Sequence, residues 1–289
     1  DIHGDFYALS NAVRWIRETC PDFRLVFLGD LVDRGRHPME CLWFLVNLAK
    51  EFPQRILWLA GNHDDSVSKD GDRFRSSVFP SEFLEHLNTV DSWTPFRRGF
   101  GLEYIDLVAG LPRAALSPDG LLMTHGGFPH TDLQKNLMEC TSDEERQSWL
   151  NSPQAVKDFT WTRITRYRAK IPNRVSTGCS YGFADFDSFC KLSKDFFPAE
   201  RLVTGHDHPD GGFDKHPEWV ERKALTLTGF GFQGDSDDPR SFNERYQEYL
   251  VVGRCRANDI PEVVTIPVDR EDLAQYFSEE LAPKFTNRG

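Results

Sequence analysis

The chain has 289 residues, 39% of them hydrophobic and 13% aromatic, enough for a packed core in one or two domains. A net charge of −11 and a pI near 5.3 remove any bulk electrostatic reason to bind nucleic acid or an anionic membrane surface. No apolar run approaches the ~18 residues of a membrane span. The six cysteines (Cys20, Cys41, Cys140, Cys179, Cys190, Cys255) form no CxxC pair, which points to reduced thiols in a cytoplasmic protein.

In chain order, the first charged pattern is "DIHG" at residues 1–4. No apolar run stands ahead of it, so the chain is expected to start inside a longer polypeptide, with a leading strand missing. Residues 1–289 are otherwise expected to form a single domain. A helix is predicted over 5–18, where Phe6, Leu9, Val13 and Ile16 share a face. "RLVFL" (24–28) reads as a buried strand and runs straight into "GDLVDRG" (29–35). After a helix near 37–50 comes a second strand, "RILWLA" (55–60), followed by "GNHDD" (61–65). A helix near 81–88 precedes the strand "LLMTH" (121–125), which ends in "HGG". "RITRYRAK" (163–170) is dense in positive charge and reads as a solvated face or a substrate-approach patch. A helix over 183–195 leads to "RLVTG" (201–205) and then "HDH". The tail holds strands at 223–228, 248–253 and 262–266 without helices between them, which suggests antiparallel pairing in a second sheet. A polar loop at 234–240 and a helix over 269–278 complete the reading.

Four polar clusters thus stand at the carboxyl ends of four strands, where sites gather in open α/β sheets. Their ligand-type side chains are Asp1, His3, Asp30, Asn62, His63, His125, His206 and His208. Carboxylate oxygen with imidazole nitrogen suits borderline ions such as zinc, manganese or iron, and not calcium. Each cluster alone has a bland explanation. "DIHG" could cap a helix, "GNHD" could be a turn, and "THGG" a glycine loop with a core histidine. Core packing does not explain their convergence.

"DIHG", "GDLVDRG", "GNHD", "HGG" and "TGHDH", in this order, resemble the calcineurin-like metallophosphoesterase superfamily. Within it, "GDLVDRG" with "HGG" is most similar to the phosphoprotein phosphatase family of serine/threonine phosphatases. The resemblance covers residue 1 to about 230. It implies a four-layer α/β/β/α sandwich with a mixed sheet pair. It also implies two divalent or trivalent ions, manganese, iron or zinc, and a phosphorylated protein or small phosphoester as substrate. Asp1 and His3 would bind one ion, Asp30 would bridge, and Asn62, His125 and His206 would complete the other. A water or hydroxide between the ions would attack phosphorus. Arg34 would clamp phosphate oxygens, His63 would protonate the leaving oxygen, and Asp33 would orient His63. "NRVSTGCSYGF" (173–183) resembles the segment carrying the family's second arginine, which makes Arg174 the candidate.

The sequence departs from the family pattern in four places. The glycine that usually leads "DIHG" is missing, and Asp64 replaces the usual glutamate after the GNH histidine. The segment after the last histidine is "LTGFGFQ" (227–233), and His208 is unusual for this family. In "TGHDHP" an extended backbone would point residues 206 and 208 to one side, so His208 is expected to join Asp1 and His3.

Other chemistries fit less well. "CTSDEER" (140–146) has the Cys-x5-Arg spacing of cysteine phosphatases, but three carboxylates inside the loop would repel a phosphate dianion. There is no GxxxxGK[ST] loop. The main alternative is the same site acting on a dinucleoside polyphosphate, with Tyr181, Phe183 or Phe230 as a base platform. A metal-stabilised interaction module would need neither Arg34 nor a histidine with its own aspartate.

Overall fold

The computed structural model describes residues 1–93, 99–129, 139–173, 177–229 and 249–268. Helix α1 (Phe6–Thr19) starts where the Asp5 carboxylate accepts the Ala8 N–H, and it buries Phe6, Leu9 and Val13. Strand β1 (Leu25–Phe27) pairs in parallel with β2 (Ile56–Trp58), and helix α2 (Pro38–Glu51) makes the crossover between them. A hairpin, β3 (Val67–Asp70) and β4 (Arg73–Ser76), turns around Gly71 and precedes α3 (Glu82–Trp93) and α4 (Phe100–Ala109).

The main sheet has five strands. β5 (Ala114–Leu116) runs antiparallel to β6 (Leu121–Thr124), and β6 runs parallel to β10 (Arg201–Thr204). β10 is in turn parallel to β12 (Ala224–Leu227), with β11 (Phe213–Asp214) antiparallel at the edge. Between β6 and β10 lie α5 (Asp143–Leu150), α6 (Pro153–Trp161) and α7 (Phe183–Ser193). A small sheet of β7 (Arg163–Ile164), β8 (Ile171–Pro172) and β9 (Cys179–Tyr181) falls in the same stretch. β13 (Tyr249–Arg254) and β14 (Glu262–Pro267) form an antiparallel hairpin.

Alternation along the strands sets the layers. Leu122, Leu202 and Ala224 face outward from the main sheet and pack with Phe186 and Phe189 of α7. Their neighbours Leu121, Val203 and Leu225 face the other way, against Leu28 and Val251. Leu250, beside Val251, turns to Ala8 and Ala12 of α1. The order is therefore helix, sheet, sheet, helix, the four-layer arrangement of the expectation.

One expectation needs correction. Residues 224–227 do not join an antiparallel tail; they continue the parallel main sheet beside β10. All four are buried, as a strand covered on both faces must be. The rejection of "CTSDEER" as an anion loop agrees with the structure, where the stretch runs into the start of α5. Ser142 accepts the Glu145 N–H, and Glu145 Oε2 accepts the Ser142 N–H. The predicted helix at 269–278 and the loop at 234–240 lie outside the described residues. All six cysteines are free, and no helix among the described residues is long and apolar enough to cross a membrane.

Candidate active site

Most of the sequence-selected side chains converge. Asp1, His3, Asp30, Asn62, His63, His125 and His206 are all buried, and His208 is partly buried. So many buried carboxylates and imidazoles are costly unless they compensate one another or share a cation. Backbone strain marks the same place. Among the described residues, seven non-glycines have positive φ, and five of them are His3, Asp30, Asp33, Arg34 and His206. Such conformations persist where the surrounding structure over-determines them, characteristically at functional sites.

Close backbone approach delivers the loops. A Cβ on Gly61 would stand 2.1 Å from Asp30 Oδ1, so only glycine lets the "GNHDD" loop lie against Asp30. Asp64 ties the same loops together: its two oxygens accept the N–H groups of Leu31 and Gly61, each at 2.9 Å. The departure from glutamate is thus a loop tether, with burial and the nearby Asp30 charge pushing its carboxyl up. On the other side, the Gly127 N–H donates to Thr162 Oγ1 at 3.1 Å, and a Cβ there would meet that oxygen at 2.4 Å. The glycines of "HGG" therefore seat the α6–β7 junction against the centre.

Three groups of donor atoms are each close enough to share a metal ion: Asp1 with His3 and His208, His3 with Asp30 and His63, and Asp30 with His125 and His206. Asp30 and His3 each belong to two of them. Asp1 Oδ2 is buried without a hydrogen-bond partner. Its neighbours are His208 Nε2 at 3.6 Å and His3 Nε2 at 4.0 Å. Donors set tetrahedrally at ~2.1 Å from one ion lie ~3.4 Å apart, so this spacing suits shared ligation. His125 shows the same fit. Its Nδ1 faces the Leu28 carbonyl at 2.8 Å and donates there, which leaves the Nε2 lone pair facing Asn62 Oδ1 at 2.9 Å and Asp30 Oδ2 at 3.3 Å. Three acceptors facing one another are reconciled by a cation. His3 is oriented alike, its Nδ1 donating to the Val32 carbonyl at 2.9 Å.

Electrostatics favour the ligand forms. Burial, then the Arg34 charge, holds His3 well below the usual imidazole range; burial, then His125 and Arg163, does the same for His206. Neutral imidazoles are what a metal binds. Burial pushes the Asp30 carboxyl up, but His125 and His63 together outweigh it and hold it well down.

His208 lies with Asp1 and His3, while His206 lies with Asp30 and His125. The extended geometry assumed for residues 206–208 is not the reason. His206 has φ 64°, and the Asp207 N–H donates back to the Gly205 carbonyl at 2.7 Å, so the chain turns tightly there.

Arg34 reaches across the site. Its Nη1 contacts His3 Nε2 at 2.9 Å and also His208 Nε2, and its Nη2 lies 3.4 Å from His63 Nε2. His63 Nδ1 is 2.7 Å from Asp33 Oδ2. Arg174 lies outside the described residues. A different arginine, which the sequence showed only as one of a basic run, enters the site. Arg163 Nη1 contacts His206 Nε2, and its Nε lies 2.8 Å from Asp207 Oδ1.

The family profile of calcineurin-like phosphoesterases matches residues 1–210. The chain belongs to the calcineurin-like phosphoesterase family. Among individual relatives of this phosphoesterase, a protein phosphatase 2A catalytic subunit of Dictyostelium discoideum is 28% identical over 185 residues, 63% of this chain and 53% of that protein. The chain thus spans about half the length of that curated relative. Among solved structures, a protein serine/threonine phosphatase from Saccharomyces cerevisiae, described as similar to human phosphatase PP5, superposes with a TM-score of 0.61. That match covers 93% of this chain and 78% of the yeast protein at 16% identity, and it speaks for the fold alone.

Proposed function

We propose that this phosphoesterase is a metal-dependent phosphomonoesterase acting on phosphorylated protein. The observation that carries the reading is the Asp30 carboxylate, whose Oδ2 lies 3.5 Å from His3 Nε2 and 3.3 Å from His125 Nε2, one member of each proposed ligand set. A shared carboxylate is what a two-metal centre for in-line phosphoryl displacement requires. Asp1, His3 and His208 would hold one ion, Asn62, His125 and His206 the other, and Asp30 both. Two such cations would supply Lewis acidity, lowering the pKa of water and withdrawing charge from the phosphate.

The chain's own groups do the rest. Arg34 would hold phosphate oxygens in its planar fork, and Arg163, beside His206, would hold them as well. Its contact with His206 supports Arg163 as an arginine of the phosphate site. His63 would give the proton on Nε2 to the leaving oxygen. Asp33, bonded to Nδ1, would keep the ring aimed.

The comparison with a small dinucleotide substrate favours protein. Tyr181 is fully buried against Phe128, and Phe183 is half-buried against the same core. Neither forms an open base platform, and Phe230 lies outside the described residues. The test is a phosphatase assay with added manganese, iron or zinc, comparing phosphopeptides with a dinucleoside polyphosphate. Faster turnover of the phosphopeptides is expected; faster cleavage of the dinucleotide contradicts the proposal.

A further inference from the structure

A guanidinium contributes to phosphate binding in proportion to how well it is held before the phosphate arrives. Arg163 opens a strand of only two residues, and its side chain is 22% exposed, so β7 alone constrains it weakly. Its position is fixed at the other end. Nε lies 2.8 Å from Asp207 Oδ1, while Nη1 touches His206 Nε2. A carboxylate at Nε sets the plane of the whole fork, because rotation about the Cδ–Nε bond would break the contact. The turn at 205–207 makes this division of labour. His206 is directed to Asp30 and His125, while the next residue reaches Arg163.

We infer that Asp207 is a positioning residue, whose carboxylate holds the Arg163 guanidinium in place for the phosphate of the substrate. The inference rests on the phosphatase reading and deepens it. It carries a sign that electrostatics alone would reverse. A carboxylate beside an anion site repels the anion, so removing its charge should tighten phosphate binding. If Asp207 acts through Arg163, removing it weakens phosphate binding instead.

The experiment is calorimetric titration of the metal-loaded chain with inorganic phosphate, with metal content of every variant read by plasma mass spectrometry. Arg163→Ala is expected to weaken phosphate by about 10-fold or more, the scale of a lost charge-assisted pair. Asp207→Asn is expected to weaken it several-fold with metal content unchanged, to add nothing in an Arg163→Ala background, and to be largely rescued by Asp207→Glu. Tighter or unchanged binding in Asp207→Asn overturns the inference while leaving Arg163 as a phosphate ligand. An equal loss in both backgrounds overturns it too, as does loss of metal from Asp207→Asn, which would make Asp207 a support of the centre. Wild-type affinity in Arg163→Ala overturns the reading of Arg163 itself, and the role of Asp207 with it.

Discussion

Asp33 holds His63 from one side and is itself held from the other. Its Oδ2 lies 2.7 Å from His63 Nδ1, while its Oδ1 accepts the Phe83 N–H at 3.0 Å from the first turn of α3. The aspartate thus locks the ring to a helix start, and both residues are buried. As the proposed proton donor, His63 would matter in proportion to the leaving group's need of a proton. General acid catalysis contributes ~10²–10⁴-fold when the need is real. His63→Asn is therefore expected to slow hydrolysis of phosphoserine far more than that of activated aryl phosphates, and Asp33→Asn to show the same bias more mildly. The check is kcat/KM on both substrate classes; equal losses would move His63 from acid to binding group.

Gly61 has no room for a side chain. Its added methyl would stand 2.1 Å from Asp30 Oδ1 and 2.3 Å from the Asp30 backbone nitrogen. Gly61→Ala is expected to push the Asp30 carboxylate out of register. The measurable outcome is lower metal content and a lower Tm, consistent with a strain of ~1–3 kcal/mol. Wild-type metal content in the variant would show that the two loops can part without consequence.

The outer core supports the site from behind. Phe186 of α7 is fully buried, with ring centroids 5.0 Å from Phe128 and 5.8 Å from Trp219. Phe186→Ala is expected to cost ~3–5 kcal/mol in denaturant unfolding. A loss below ~1 kcal/mol would mean that the cluster collapses around the cavity.

The site was legible in the sequence wherever function and local pattern coincide. Each of four polar clusters follows a strand, and a strand is readable from a short apolar run. Arg163 was not legible, although it stands in a conspicuous basic run. Which member of the run turns inward is set by Gly127 bonding Thr162, a contact between segments 35 residues apart. Helix α5 was missed for another reason: none of its residues is buried, so it has no apolar stripe to read. The β3–β4 hairpin did carry a signal in Asp70-Gly71, but only Val67 and Phe74 are buried along it, too few to show an alternation. The all-buried run 224–227 was visible as a strand, while its direction depends on a partner that periodicity does not name.

His208 separates this chain from the usual phosphoprotein phosphatase pattern. Its Nε2 lies 3.6 Å from Asp1 Oδ2, and its Nδ1 lies 3.3 Å from Thr228 Oγ1. His208→Ala is expected to weaken one of two metals selectively and to raise the metal concentration needed for activity. Unchanged stoichiometry and unchanged metal dependence would remove His208 from the ligand set.

The central claim is that Asp30 joins two ions in one centre, and the direct test is metal stoichiometry with turnover in Asp30→Asn. The substitution preserves shape, and Asn can keep the oxygen that accepts the His63 N–H at 2.8 Å. Only the shared charge is lost. Two metal ions per wild-type chain are expected, with fewer than two in Asp30→Asn and abolished phosphatase turnover. A fully active Asp30→Asn chain that retains two ions would contradict the claim.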